Sequence, residues 1–157
     1  MNARSLRLLA PWLLAVALLS PTAAGAAMFG VRAGEYTEVG EPFIGLEFLT
    51  QVVRPEIWFN PNFEYVLVDN GDLVTLNFDF HYDFDVPDPL LVWAGAGPAL
   101  VYSQIDRPRG DDDNETDIGL NLLGGVGWRV NSLVPYLQAK ALLSDENEFV
   151  VAVGLRF

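Results

Sequence analysis

The sequence predicts an all-β protein, an eight-stranded antiparallel transmembrane up-and-down β-barrel. Three observations lead there. Apolar and polar residues alternate over long runs, short turn signals punctuate those runs, and the final ten residues, EFVVAVGLRF, hold the alternation to an aromatic end. Helical periodicity is absent after the first segment, and a two-residue period is the signature of a strand with two unlike faces.

The first segment is of another kind. Arg4 and Arg7 precede an apolar run from Leu8 to Leu19, and small residues follow at Ala23-Ala24-Gly25-Ala26-Ala27. That order is the pattern of a secretory signal peptide, and the apolar run falls short of the roughly 20 residues of a spanning helix. Ala24-Gly25-Ala26 fits the small-x-small cleavage rule. The expected division is therefore a removed leader over 1–26 and a single barrel domain over 27–157. Nine basic residues less Arg4 and Arg7 leave seven against 21 acids, a net charge of −14 after removal. So acidic a chain is poorly suited to nucleic acid. With no cysteine, the exported protein does not depend on disulfides.

Eight strands are expected, at about Met28 to Tyr36, Pro42 to Gln51, Arg54 to Val68, Leu73 to Asp85, Leu90 to Ser103, Asp117 to Val130, Leu133 to Leu143 and Glu148 to Phe157. Most exceed the usual length of about five or six and approach the 9–11 or so that a tilted strand needs to cross a bilayer. The fourth is the clearest: Val74, Leu76, Phe78, Phe80, Tyr82 and Phe84 interleave with Thr75, Asn77, Asp79, His81, Asp83 and Asp85. Asn70-Gly71 is a strong hairpin signal. A two-residue loop there sets Glu64 opposite Asn77, Asn62 opposite Asp79 and Asn60 opposite His81, polar against polar. A turn at Asn131-Ser132 sets Gly127 against Tyr136, Gly125 against Gln138 and Leu123 against Lys140, small or slender against large. Four connections are acidic (TEVGE, DNGD, RPRGDDDNETD, SDENE) and three are short, near Val52-Val53, VPDP and NS. Parity puts the acidic four at one end, as in outer-membrane barrels with long external loops and short periplasmic turns.

Alternation alone does not say which face meets lipid. The apolar face is expected to carry aromatics near strand ends, at Tyr36, Phe43, Phe63, Tyr65, Phe84, Tyr102, Trp128, Phe149 and Phe157, as interfacial girdles do. The other face mixes small residues with a luminal polar network: Arg32, Glu47, Glu56, Asn60, Glu64, Asn77, Asp79, His81, Asp83, Arg129, Gln138, Lys140 and Arg156. After removal of the leader one lysine remains, which suits a crowded interior better than a watery exterior. Eight closed strands leave an interior that side chains can fill, and closure satisfies every backbone hydrogen bond, as hydrocarbon requires.

The terminal strand, with Phe149, Val151, Val153, Leu155 and Phe157 at every second place, resembles the carboxy-terminal assembly signal of Gram-negative outer-membrane proteins. With the leader and the strand count, the chain resembles the small OmpA/OmpX-like barrels of the porin family. The resemblance implies a monomer in the bacterial outer membrane, without a cofactor. Its implied partners are outer-membrane lipids and lipopolysaccharide, and the assembly machinery that reads the strand ending at Phe157. It also implies a structural or surface-interaction role, or else a narrow channel for small solutes or ions. Some barrels of this general kind modify lipid A.

Candidate sites follow. His81, among Asp79, Asp83 and Asp85, is either a base or metal ligand, or a luminal hydrogen-bonding residue. A lipid-modifying enzyme needs a hydroxyl within reach of a base. Ser103 is expected opposite about residue 72, nine places from His81, while Ser132 lies in a periplasmic turn and Ser144 begins an outer loop, so no catalytic residue is assigned. Asp111, Asp112, Asp113, Glu115 and Asp117 are candidates for external cation contact, without the glycine and final glutamate of an EF-hand loop, or else a solvated acidic loop. Arg32, Arg129, Lys140 and Arg156 opposite the acids either line a selective pore or form a salt-bridge network that closes the lumen. Gly95, Gly97, Gly124, Gly125 and Gly127 lie in no strand-to-helix context, so no phosphate loop is implied.

Overall fold

Strands of this length and polarity can satisfy their edges by closing on themselves, and they do. The computed structural model describes residues 26–68, 71–105 and 113–157. Among these, eight antiparallel strands form a closed barrel in chain order: β1 (Ala27–Tyr36), β2 (Glu41–Val52), β3 (Arg54–Val66), β4 (Gly71–Asp83), β5 (Leu90–Ile105), β6 (Asp113–Trp128), β7 (Val134–Leu143) and β8 (Glu148–Arg156). The seam pairs Arg32 with Gly154 and Gly30 with Arg156. Phe157 and Phe29 exchange two backbone hydrogen bonds, at 2.8 and 3.0 Å, so the terminal aromatic closes the ring instead of trailing from it. The leader expected over 1–26 falls on residues outside those described, apart from Ala26.

The β6/β7 register matches the sequence reading, with Gly127, Gly125 and Leu123 opposite Tyr136, Gln138 and Lys140. The β3/β4 register does not. Glu64 pairs with Thr75, Asn62 with Asn77 and Asn60 with Asp79, two residues from expectation, and His81 faces Trp58. A two-residue slip leaves every side chain on its own face, so polarity does not distinguish the two pairings. The β5/β6 hairpin also runs further than expected. Asp117 pairs with Val101 and Glu115 with Ser103, and the ladder continues to Asp113 opposite Ile105. Backbone pairing needs no apolar side chain once the strands stand in water, so the acidic stretch extends a strand instead of opening a loop.

One end of the barrel carries the connections Thr37–Gly40, 67–70, 106–112 and Ser144–Asn147. The other carries Val53, Phe84–Pro89, Arg129–Leu133 and both strand termini at the seam. We call these the loop end and the turn end. Val53 and Asn131 adopt left-handed backbone, with φ of 63° and 57°.

The outer wall is apolar: Phe29, Ile44, Leu46, Phe80, Leu120, Leu122, Leu137 and Val153 are exposed. Exposed aromatics gather toward the turn end (Phe29, Tyr82, Phe84, Trp128, Phe157) and toward the loop end (Tyr102, Phe149). Tyr36 and Phe43, expected on this wall, are instead 1% exposed inside the barrel. They share parity with Arg32 and with Glu47 along their strands, and parity overrides aromatic character.

Candidate functional site

The interior is layered. At the loop end, Tyr36, Phe43, Val66, Ala99, Leu142, Val150 and Ala152 pack into an apolar cap. Toward the turn end, Trp93, Leu123 and Tyr136 form a second cluster, with Trp58 and Leu49 also buried. Glycine makes room for these rings, because a Cβ at Gly125 would collide with the Trp93 indole and one at Gly154 with the Tyr136 ring.

Between the caps lies a chain of alternating charges. Lys140 Nζ donates to Glu64 Oε2 at 2.8 Å. Arg32 Nη2 lies 3.2 Å from Glu64 Oε1, and its Nη1 is 4.0 Å from Glu47 Oε2. Arg156 Nε donates to Glu47 Oε1 at 3.0 Å. Lys140, Glu64, Arg32, Glu47 and Arg156 therefore link β7, β3, β1, β2 and β8 in one +, −, +, −, + sequence. Arg32 is held by charge and position, since its guanidinium makes no aligned hydrogen bond among the described residues. A sixth charge, Asp79, accepts from the amides of Asn62 at 2.9 Å and Asn121 at 2.8 Å. Among the described residues three cations and three carboxylates thus balance inside the lumen. In low dielectric such balance is required, because an unpaired buried charge costs several kcal/mol.

Neutral groups knit the layer together. Tyr36 donates to Glu64 through its hydroxyl, and Thr75 donates to the same carboxylate at 3.0 Å. Asn77 donates to Asn62 at 2.9 Å, Asn121 to Asn77 at 2.8 Å, and Asn60 to Glu47 at 2.9 Å. The Arg156 guanidinium lies 4.5 Å from the Trp93 ring centroid and 4.3 Å from that of Tyr136, so it stacks between two π faces. Trp93 Nε1 donates to Gln138 Oε1 at 3.2 Å.

Of the residues expected in this network, Arg32, Glu47, Asn60, Glu64, Asn77, Asp79, His81, Gln138, Lys140 and Arg156 are buried in the lumen. Glu56 and Arg129 are not, and Asp83 sits only half buried at the mouth. Each of the three has luminal parity but lies at the turn end, where the inner face opens to solvent. Arg129 instead pairs with Asp88 at 2.8 Å, both well exposed. Thr75, Asn121 and the aromatic caps were missed as lumen constituents. Parity would have found Thr75 and Asn121, while the aromatics looked like girdle residues.

His81 Nε2 lies 3.4 Å from Asp83 Oδ1, beside the Trp93 ring at 5.8 Å. Ser103 pairs with Leu73, eight positions from His81 along β4, roughly 26 Å at ~3.3 Å per residue. Asp111 and Asp112 lie outside the described residues, Asp113 is described only in its backbone, and Glu115 and Asp117 lie on the extended β6. Among the described residues no three metal-ligating side chains gather.

No family model and no curated protein sequence matches the chain. Solved structures do. The N-terminal β-barrel domain of OprF from Pseudomonas aeruginosa superposes with a TM-score of 0.68 at 14% identity, covering 85% of this chain and 98% of that one. Neisserial surface protein A, NspA, gives 0.64 at 17%, covering 85% and 98%. A de novo designed transmembrane β-barrel gives 0.63 at 16%, covering 87% and 97%. That a designed protein superposes nearly as well as natural ones shows that the likeness is one of architecture, carried by strand number, register and closure. On that ground the chain has the fold of the small OmpA/OmpX-like outer-membrane barrels.

Proposed function

We propose that the protein is an integral barrel of the bacterial outer membrane whose lumen is closed by its own side chains, and that it serves a structural or surface-interaction role. The supporting observation is the five-residue charge chain Lys140–Glu64–Arg32–Glu47–Arg156, which crosses the interior between two packed caps. A solute would have to break buried ion pairs and displace tightly packed rings. An apolar outer wall with aromatic bands near both ends supports membrane insertion. The same reading has residues 1–26 removed on export, the β8 strand ending at Phe157 recognised by the outer-membrane assembly machinery, and a monomer surrounded by outer-membrane lipids and lipopolysaccharide. The separation of Ser103 from His81 supports a protein without lipid-modifying chemistry.

Planar-bilayer recording tests the closure. The refolded protein is expected to insert, shown by heat-modifiable migration on gels, and to give no stable conductance. Steady, ion-selective steps from the unmodified protein would establish the narrow-channel reading in its place.

A further inference from the structure

At the turn-end mouth of the lumen the chain's one histidine stands beside a carboxylate in an arrangement that no hydrogen bond accounts for. His81 and Asp83 are two residues apart on β4, so both side chains take the inner face of the strand. His81 Nε2 lies 3.4 Å from Asp83 Oδ1, past the ~2.7–3.2 Å of an N–H···O bond. Asp83 Oδ1 has no hydrogen-bond partner among the described residues, although the atom itself is shielded from water. The separation is instead the one that two ligands of a single tetrahedral metal ion take. Bonds of ~2.0–2.2 Å meeting at the tetrahedral angle put a ring nitrogen and a carboxylate oxygen roughly 3.3–3.5 Å apart.

Packing fixes the imidazole there. His81 pairs with Trp58 on β3 and with Gly95 on β5, and the Trp93 ring lies beside it at 5.8 Å. Both tryptophans are buried. A Cβ at Gly95 would strike the Phe80 backbone and the His81 Cβ, so glycine leaves His81 its position. The His81 side chain is 1% exposed and that of Asp83 26%. The pair therefore has a dry side toward the lumen and a wet side through which an ion can arrive. A third donor stands across the strand pair. Ile57 pairs with Tyr82, and one step further toward the turn end the same register sets Glu56 beside Asp83. Glu56 shares the inner face with Trp58 and is exposed, so its carboxylate changes rotamer readily.

We propose that His81 Nε2, Asp83 and Glu56 bind one divalent transition-metal ion of the zinc class at the turn-end mouth, with water as the fourth ligand. Two of the three ligands are in place, and Glu56 completes the set by turning inward. The donors choose the class of ion: imidazole nitrogen suits zinc, copper and nickel, whereas magnesium and calcium take oxygen. Bound there, the ion ties β3 to β4 beside the Trp93 cluster and leaves one coordination position open to solvent. The site is independent of whether the lumen conducts.

The test titrates Zn²⁺ into the refolded barrel, made without a histidine tag, by isothermal calorimetry. One Zn²⁺ per barrel is expected, not displaced by an equal concentration of Mg²⁺. His81→Gln and Asp83→Asn are each expected to weaken binding at least tenfold, and Glu56→Gln severalfold. Asp88→Asn, which removes a carboxylate at the same end but outside the site, is expected to leave it unchanged. Co²⁺ in place of Zn²⁺ is expected to give the visible absorption of tetrahedral coordination, lost in His81→Gln. Equal affinity in His81→Gln and the unmodified protein overturns the proposal. So does displacement by equal Mg²⁺, or an equal loss in Asp88→Asn, either of which would reduce the effect to general attraction by an acidic chain. Heat-modifiable migration reports whether each variant folds. Should His81→Gln not refold, Asp83→Asn and Glu56→Gln decide, because both side chains reach water, and unchanged affinity in both overturns the site.

Discussion

Lys140 on β7 and Glu64 on β3 meet at 2.8 Å inside the barrel although 76 residues separate them in the chain. Glu64 carries much of the interior, since Arg32, Tyr36 and Thr75 also converge on it. Removing one partner of a buried pair strands the other. Lys140→Met is therefore expected to destabilise the barrel by about 3–5 kcal/mol, and Lys140→Met with Glu64→Gln to recover much of that loss. Urea unfolding in lipid vesicles, followed by tryptophan fluorescence, measures both. A double variant no more stable than Lys140→Met would show that the pair is not coupled.

The same cluster provides a test of closure by subtraction. Replacing Arg32, Glu64 and Lys140 together with alanine removes three of the five members of the charge chain and leaves Glu47 paired with Arg156. If the caps alone seal the lumen, planar bilayers will remain silent. If the charge chain is the barrier, small steps appear that the unmodified protein lacks. We expect steps, because the cap around Tyr36 leans on Glu64 through its hydroxyl.

The orientation of the wall can be tested at Leu46, which is 62% exposed on β2. In a water-soluble protein a substitution so exposed changes stability by no more than about 0.5 kcal/mol. In hydrocarbon, Leu46→Arg is expected to cost about 2–4 kcal/mol. Unfolding of this variant in vesicles decides between the two solvents.

Packing around Trp93 predicts a small-to-large effect. Gly125→Ala places a methyl group against the indole, and overpacking of this kind costs about 1–3 kcal/mol. Trp93→Phe in the same chain is expected to recover part of the loss, because the smaller ring vacates the contested space. Thermal or urea midpoints of the single and double variants measure it.

Val53 offers a gain in stability. It is 95% exposed and holds a φ of 63°, a region that costs an L residue about 1–2 kcal/mol and that suits a β-branched side chain least. Val53→Gly is expected to raise stability by about 1 kcal/mol, read as a higher urea midpoint with refolding yield unchanged.

Much of the architecture was legible from local chemistry. Alternation located all eight strands, and the short turn at Asn131-Ser132 set the β6/β7 register, with Gly125 opposite Gln138. What misled was alternation without height. Glu56 and Arg129 share parity with the lumen but stand where its mouth meets water. Tyr36 and Phe43 have a girdle residue's chemistry at a lumen residue's position.

By itself the sequence determined which residues of a strand share a face, because the pleat has a period of two and the charged residues mark one of the two faces. It also determined that the sheet must close, since strands this long with no covering element leave no edge unpaired. The tertiary structure alone decided the β3/β4 register, because pairings two residues apart are identical in polarity and differ only in how rings and ion pairs fit across the barrel. It alone decided which charges meet: Glu64 touches Lys140 and Arg32 only once curvature brings β7, β3 and β1 around a common axis.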